Sequence, residues 1–152
     1  MVSMFDSTVQ SLANSHYYAR TPPPGRSDFQ HLDDHLRNVG LLCESAVSAA
    51  LGDEFGPAGR LLGLTHDLGK ALPEWQTAIR EIAAGESASL PPHAIWGAKW
   101  LESQKGVLAD DLLSYLVRSV LSHHAGLPDA GELAGRLKRT LGNELTDFLS
   151  RF

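Results

Sequence analysis

The chain has little with which to build several familiar classes of protein. A single cysteine, Cys43, excludes an internal disulfide and fits a reducing, cytoplasmic setting. Its place in an amphipathic run marks it as a small core residue. No apolar stretch reaches membrane-spanning length, because charges or glycines interrupt each one, so no membrane partner is expected. The opening MVSMFDSTVQ has neither the basic nor the apolar region of a secretory signal. Basic residues are outnumbered, 13 Lys and Arg against 18 Asp and Glu, which argues against a protein that coats nucleic acid non-specifically. The balance leaves open an enzyme that grips a strand only at its active site, where bound cations reverse the local field. Repeats, low-complexity tracts and sustained period-two alternation are all missing, so a sheet-based fold is not expected.

What is present is a succession of helical patterns. With 152 residues, 43% apolar and 20% charged, the chain is sized and composed for one globular domain spanning 1–152. After the proline-rich loop 21–27, residues 33–52 place Leu36, Val39, Leu42, Cys43, Ala46, Val47 and Ala50 at helical spacing, with Gly52 as the stop. Pro57 opens a second helix that runs through Leu61, Leu62 and Leu64 to His66-Asp67, with Gly69 as its stop. A third follows Pro73 and closes at Gly85, and a fourth spans 91–106 with Pro91 and Pro92 at its entry. The clearest stripe, Leu112, Leu113, Leu116, Val117, Val120 and Leu121, belongs to a fifth helix over 108–126. The tail 129–152 can form one or two more. These patterns predict an all-α fold, a compact helical bundle.

The chemistry-bearing residues gather at the ends of these helices. His66 and Asp67 close the second helix, and His123 and His124 close the fifth. His93 falls in the first turn of the fourth, and either His31 or His35 can face inward at the start of the first. Helix C-termini carry partial negative charge and favour cations, and bundle metal centres are built from His and carboxylate side chains on facing helices. Five imidazoles and a carboxylate exceed what one ion takes from protein, so two ions are expected, with Asp67 bridging them. Two ions about 3.5–4 Å apart can stabilise both the attacking and the leaving oxygen of a phosphate ester. A nitrogen-rich set without thiolate favours Mn²⁺, Fe²⁺, Co²⁺ or Ni²⁺ over Mg²⁺ and Zn²⁺. Lys70, just past the pair, offers a point charge for a phosphate.

Taken singly, each of these residues has an ordinary use. His93 beside two prolines reads as a surface or capping residue, His123 and His124 can bond the last carbonyls of their helix, and His16 reads as solvated. Asp33 and Asp34 suit a helix N-terminus, and Arg20 suits solvent as well as phosphate. The joint pattern is what carries weight, since independent uses do not place His at successive helix ends with Gly-Lys after the first pair.

THDLGKALPEWQ (65–76), PHAIWGAKWL (92–101) and LSHHAGLPD (121–129) together resemble the HD-domain nuclease of type I CRISPR systems, whether stand-alone or joined to the CRISPR nuclease-helicase. Residues 17–39 resemble the same family's opening segment, so the likeness covers roughly 16–130. H-D-x-G-K occurs across the wider HD phosphohydrolase superfamily; the trailing ALPEWQ and the HHAGLP point to the CRISPR branch. The resemblance implies a helical HD fold and metal-dependent cleavage of single-stranded DNA in antiviral interference, alongside a separate helicase subunit and a CRISPR surveillance complex. It implies that His35, rather than His31, joins His66 and Asp67 on one ion. Asp67 would bridge to a second ion held by His93, His123 and His124, with Lys70 near the scissile phosphate.

The chain departs from the family at one point. The family's pattern ends in a further aspartate on a late helix, which completes the first metal. Only 28 residues follow His124 here, with Asp129, Glu132, Glu144 and Asp147 as acidic candidates. Asp147 is the one on a plausible late helix, though it comes early; otherwise the chain is a shortened form or its first metal set is incomplete. Two other functions therefore stand beside the nuclease: a small-molecule HD nucleotide phosphohydrolase, and a non-catalytic HD module that binds a helicase or effector complex.

Overall fold

The computed structural model describes residues 16–124 and 126–138. A two-stranded antiparallel hairpin comes first: β1 (Tyr18–Arg20) pairs with β2 (Gln30–His31), Tyr18 opposite His31 and Arg20 opposite Gln30. Six helices follow among the described residues: α1 (Leu32–Leu51), α2 (Gly56–Thr65), α3 (Pro73–Ala83), α4 (Ala94–Ser103), α5 (Asp110–Ser122) and α6 (Ala130–Leu137). Short 3₁₀ turns at Asp53–Phe55 and Leu68–Ala71 sit before α2 and α3. The fold is all-α, as the periodicity predicts. The small hairpin is an addition that three residues without alternation could not announce; the proline-rich segment is its connecting loop. No helix among the described residues is long and apolar enough to cross a membrane.

Each helix forms for a local reason and buries one face. Asp33 and Asp34 lie in the first turn of α1, where acidic charge suits the helix N-terminus. The helix ends at Gly52, whose φ of 111° an L side chain rarely adopts. Pro57 occupies the first turn of α2 and Pro73 that of α3, positions where a missing N–H costs nothing. Leu32 and Leu36 of α1, Leu61 and Leu64 of α2, Trp75 and Ile79 of α3, Trp96 and Leu101 of α4, and Leu116, Val117, Val120 and Leu121 of α5 meet in one buried core. Cys43, expected in the core, is half-buried and not part of it, and burial pushes its thiol pKa up. The two principal packings are α1 on α2 and α4 on α5.

Two boundaries differ from the sequence reading. His93 lies outside α4, at its N-cap, with φ −121° and ψ −24°, so the helix starts only at Ala94. Gly69 is no left-handed stop: it lies within a 3₁₀ turn, and its φ is not positive. Glycine is needed there because a methyl at that position would collide with the carbonyl of His93. Gly97, in α4, meets the same constraint, since a methyl there would strike the carbonyl of Thr65. These two contacts bring the His66-Asp67 turn and the start of α4 together at backbone distance.

Gln76 ties the hairpin to this turn. It is buried, and its Oε1 accepts from the Tyr18 N–H at 3.0 Å, while its Nε2 donates to the Tyr18 carbonyl at 2.9 Å and to the Lys70 carbonyl at 2.7 Å. Arg80, one turn along α3, donates to the His16 carbonyl at 3.0 Å and lies over the Tyr18 ring. One amide thus satisfies three backbone groups from two distant segments. Gln76→Ala is expected to destabilise the fold by about 1–3 kcal/mol, since those groups lose partners in a buried place. Urea unfolding of the two proteins measures it.

Candidate metal centre

Asp67 is the hub. It follows α2 by two residues, is buried, and receives side chains from four directions. His35 Nε2 from α1 lies 2.9 Å from Oδ2, and His66 Nε2 lies 3.1 Å from the same oxygen. Lys70 Nζ lies 2.8 Å from Oδ2. On the other oxygen, His93 Nε2 is 2.9 Å and His123 Nε2 3.3 Å from Oδ1. His124 completes the group through His93, their Nε2 atoms 3.0 Å apart.

All seven residues singled out in the sequence are therefore brought together. Their ligand atoms form two sets, His35, His66 and Asp67 in one, and Asp67, His93, His123 and His124 in the other, all within 4.8 Å inside each set. His31 stays outside, exposed on β2 with its ring at the edge of Tyr18. His16 and Arg20 are exposed. Asp129 caps α6 by accepting from the Glu132 N–H, and Glu132 pairs with Arg136, so neither joins the sets. Glu144 and Asp147 lie outside the described residues.

The cluster could hold a metal ion, and three observations fit one. His66 Nδ1 sits 2.7 Å from the Gly63 carbonyl, and His123 Nδ1 sits 2.6 Å from the Val120 carbonyl. A carbonyl only accepts, so each Nδ1 carries a proton, and a ring that is otherwise unprotonated turns the lone pair of Nε2 toward Asp67. Lone pairs facing a carboxylate at such distances repel unless a proton or a cation stands between them. Second, Oδ1 of Asp67 is buried without a properly aligned hydrogen bond, although two ring nitrogens crowd it. A buried carboxylate oxygen left in that state is costly. Third, adjacent ligands around an octahedral ion with bonds of about 2.1 Å stand about 3.0 Å apart, and the separations here run from 2.9 to 3.3 Å.

The electrostatics follow from the same crowding. Burial by itself would raise the pKa of Asp67, but the ring nitrogens of His123, His35, His66 and His93 outweigh it and hold the carboxyl far below its ordinary range. Burial would lower that of His123, but Asp67 and the Val120 carbonyl raise it. His124 goes the other way, lowered by burial and by the charges of His123 and His93.

Lys70 completes the surroundings of Asp67. It is buried, shared between Asp67 Oδ2 and the Ala19 carbonyl at 3.3 Å, with the Trp75 ring 5.2 Å away. Sequence reasoning attached no role to Ala19 or Gln76, which position this lysine's backbone and ammonium; nothing in their residue types signals it. Beside the second set lies a partly open cleft of about 910 Å³. It is lined by the apolar Leu90, Pro91, Pro92, Ile95 and Leu121, by His93 and His124, and by the Glu132–Arg136 ion pair of α6.

The shifts fix the sign of a pH dependence in metal-free protein. His123 has its folded pKa raised, so its stabilising contribution is complete below about pH 6.5 and is lost as pH rises through the folded value. His124 has its folded pKa lowered, so its contribution is complete above about pH 6.5 and is lost as pH falls through the folded value. Melting temperatures taken in chelator are expected to decline on the alkaline side, and His123→Asn to remove that decline while leaving the acid side in place.

No family model, curated protein or solved structure matches the chain, so the case for a metal centre stands on these side chains alone.

Proposed function

We propose that the protein is a metal-dependent HD-type nuclease that hydrolyses phosphodiester bonds of single-stranded DNA, serving CRISPR interference beside a separate helicase subunit and a surveillance complex. The observation that carries this reading is the convergence of four imidazole Nε2 atoms on the two oxygens of one buried carboxylate, with a fifth imidazole, His124, against His93. His35, His66 and Asp67 would hold one divalent ion, and Asp67, His93, His123 and His124 a second. The nitrogen-rich set favours Mn²⁺, Fe²⁺, Co²⁺ or Ni²⁺. Ions held there supply Lewis acidity to a phosphate and lower the pKa of water.

The chain's own contribution is to build and orient that centre. Asp67 offers one oxygen to each side, and the Gly63 and Val120 carbonyls fix the two flanking rings with Nε2 inward. Lys70 holds Oδ2 in place. The cleft along His93 and His124 gives a strand room to lie against the second set, with apolar walls for bases. The same cleft is large enough for a free nucleotide, which keeps the small-molecule phosphohydrolase as the second reading.

Metal-stripped protein reconstituted with Mn²⁺, Ni²⁺ or Mg²⁺ is expected to nick circular single-stranded DNA. Asp67→Ala should lose more than the roughly 10–100-fold that removing an outer-shell partner costs. Release of phosphate from nucleotides without nicking would favour the small-molecule enzyme. Activity toward neither, with metal bound, would leave a binding module.

A further inference from the structure

The two ligand sets share Asp67 but are not equal. The Oδ1 set has four ligands, and its carboxylate oxygen is buried without an aligned hydrogen bond. The Oδ2 set has three ligands among the described residues, and its oxygen is already occupied: His35 Nε2 bonds it at 2.9 Å and the Lys70 ammonium at 2.8 Å. Access differs as well. The Oδ1 set reaches solvent through the exposed His124 in the cleft wall, whereas in the Oδ2 set His66 is half-buried and His35, with the neighbouring Lys70, is buried.

Resting on the reading of this cluster as a two-ion centre, we propose that Lys70 is a resident cation that makes metal loading sequential. The Oδ1 set takes the first divalent ion, and the Oδ2 set takes a second only by displacing the Lys70 ammonium from the carboxylate. The fold provides for that displacement. Lys70 Nζ keeps the Ala19 carbonyl at 3.3 Å and the Trp75 ring face at 5.2 Å as partners, so it can leave Oδ2 without becoming an orphaned buried charge. While it stays, its positive charge both satisfies the oxygen and repels a dication. A nearby like charge changes an ionic equilibrium by roughly tenfold to a thousandfold at such range. The chain is then mononuclear at low metal and binuclear only at higher metal.

The test is a titration of the metal-stripped full chain with Mn²⁺, followed by equilibrium dialysis with metal analysis and by electron paramagnetic resonance for a spin-coupled pair. Two classes of site are expected, at least about tenfold apart in affinity, with the coupled signal appearing only as the weak class fills. His124→Ala should weaken the tight class, and His35→Ala should remove the weak class while the tight one remains. Lys70→Gln should bring the two classes together, and Lys70→Arg should keep them apart. Two equal sites in the unaltered chain overturn the proposal, as does loss of the tight class in His35→Ala but not in His124→Ala. A folded Lys70→Gln protein with an unchanged weak class overturns the role given to Lys70. Should that variant not fold, the His35 and His124 pair decides the order without it. A chain that binds no Mn²⁺ overturns the two-ion centre itself, a result distinct from binding two ions equally.

Discussion

A buried carboxylate that must be matched by positive charge organises this molecule. Asp67 is surrounded by five imidazoles and a lysine, and the elements that carry them are placed so that these groups converge. An ionised carboxylate in a protein interior is tolerated only when paired and bonded. Here the pairing draws on α1, the end of α2, the 3₁₀ turn, the approach to α4 and the end of α5. The core beneath, from Leu32 to Leu121, holds those five points in register.

The same local device appears twice around that carboxylate. At the end of α2, His66 returns its Nδ1 proton to the carbonyl three residues back, and His123 does so at the end of α5. The final turn of each helix satisfies one of its own carbonyls with the ring that it presents. The other ring nitrogen is thereby aimed at Asp67. The negative ends of two helices also point toward the same place, which favours a cation there before any ligand bond is counted.

Much of this was legible in the sequence, and the limits have physical causes. The helices were visible because their apolar stripes are long and their ends carry proline or glycine, as with Pro57, Pro73 and Gly52. That histidines at successive helix ends belong together was visible from their number and position. The choice of His35 over His31 was not visible from spacing, because both lie near the start of α1 and only packing turns one inward. Gly69 looked like a helix stop because a glycine that takes a positive φ and a glycine that admits a neighbouring carbonyl are the same letter. The hairpin has too few residues for alternation to register, and the hold of Gln76 on Tyr18 spans 58 positions, beyond the reach of any local pattern.

The order of these residues along the chain has a consequence for synthesis. His35, His66, Asp67, Lys70 and Gln76, which build the Oδ2 side and tie down the hairpin, all leave the ribosome before His93, His123 and His124. A chain folding from its N-terminus can therefore assemble that side early, with the lysine on the carboxylate in place of an ion. The four-ligand side is completed only when α5 has been made. Until then, the half already assembled carries its own counter-charge in Lys70.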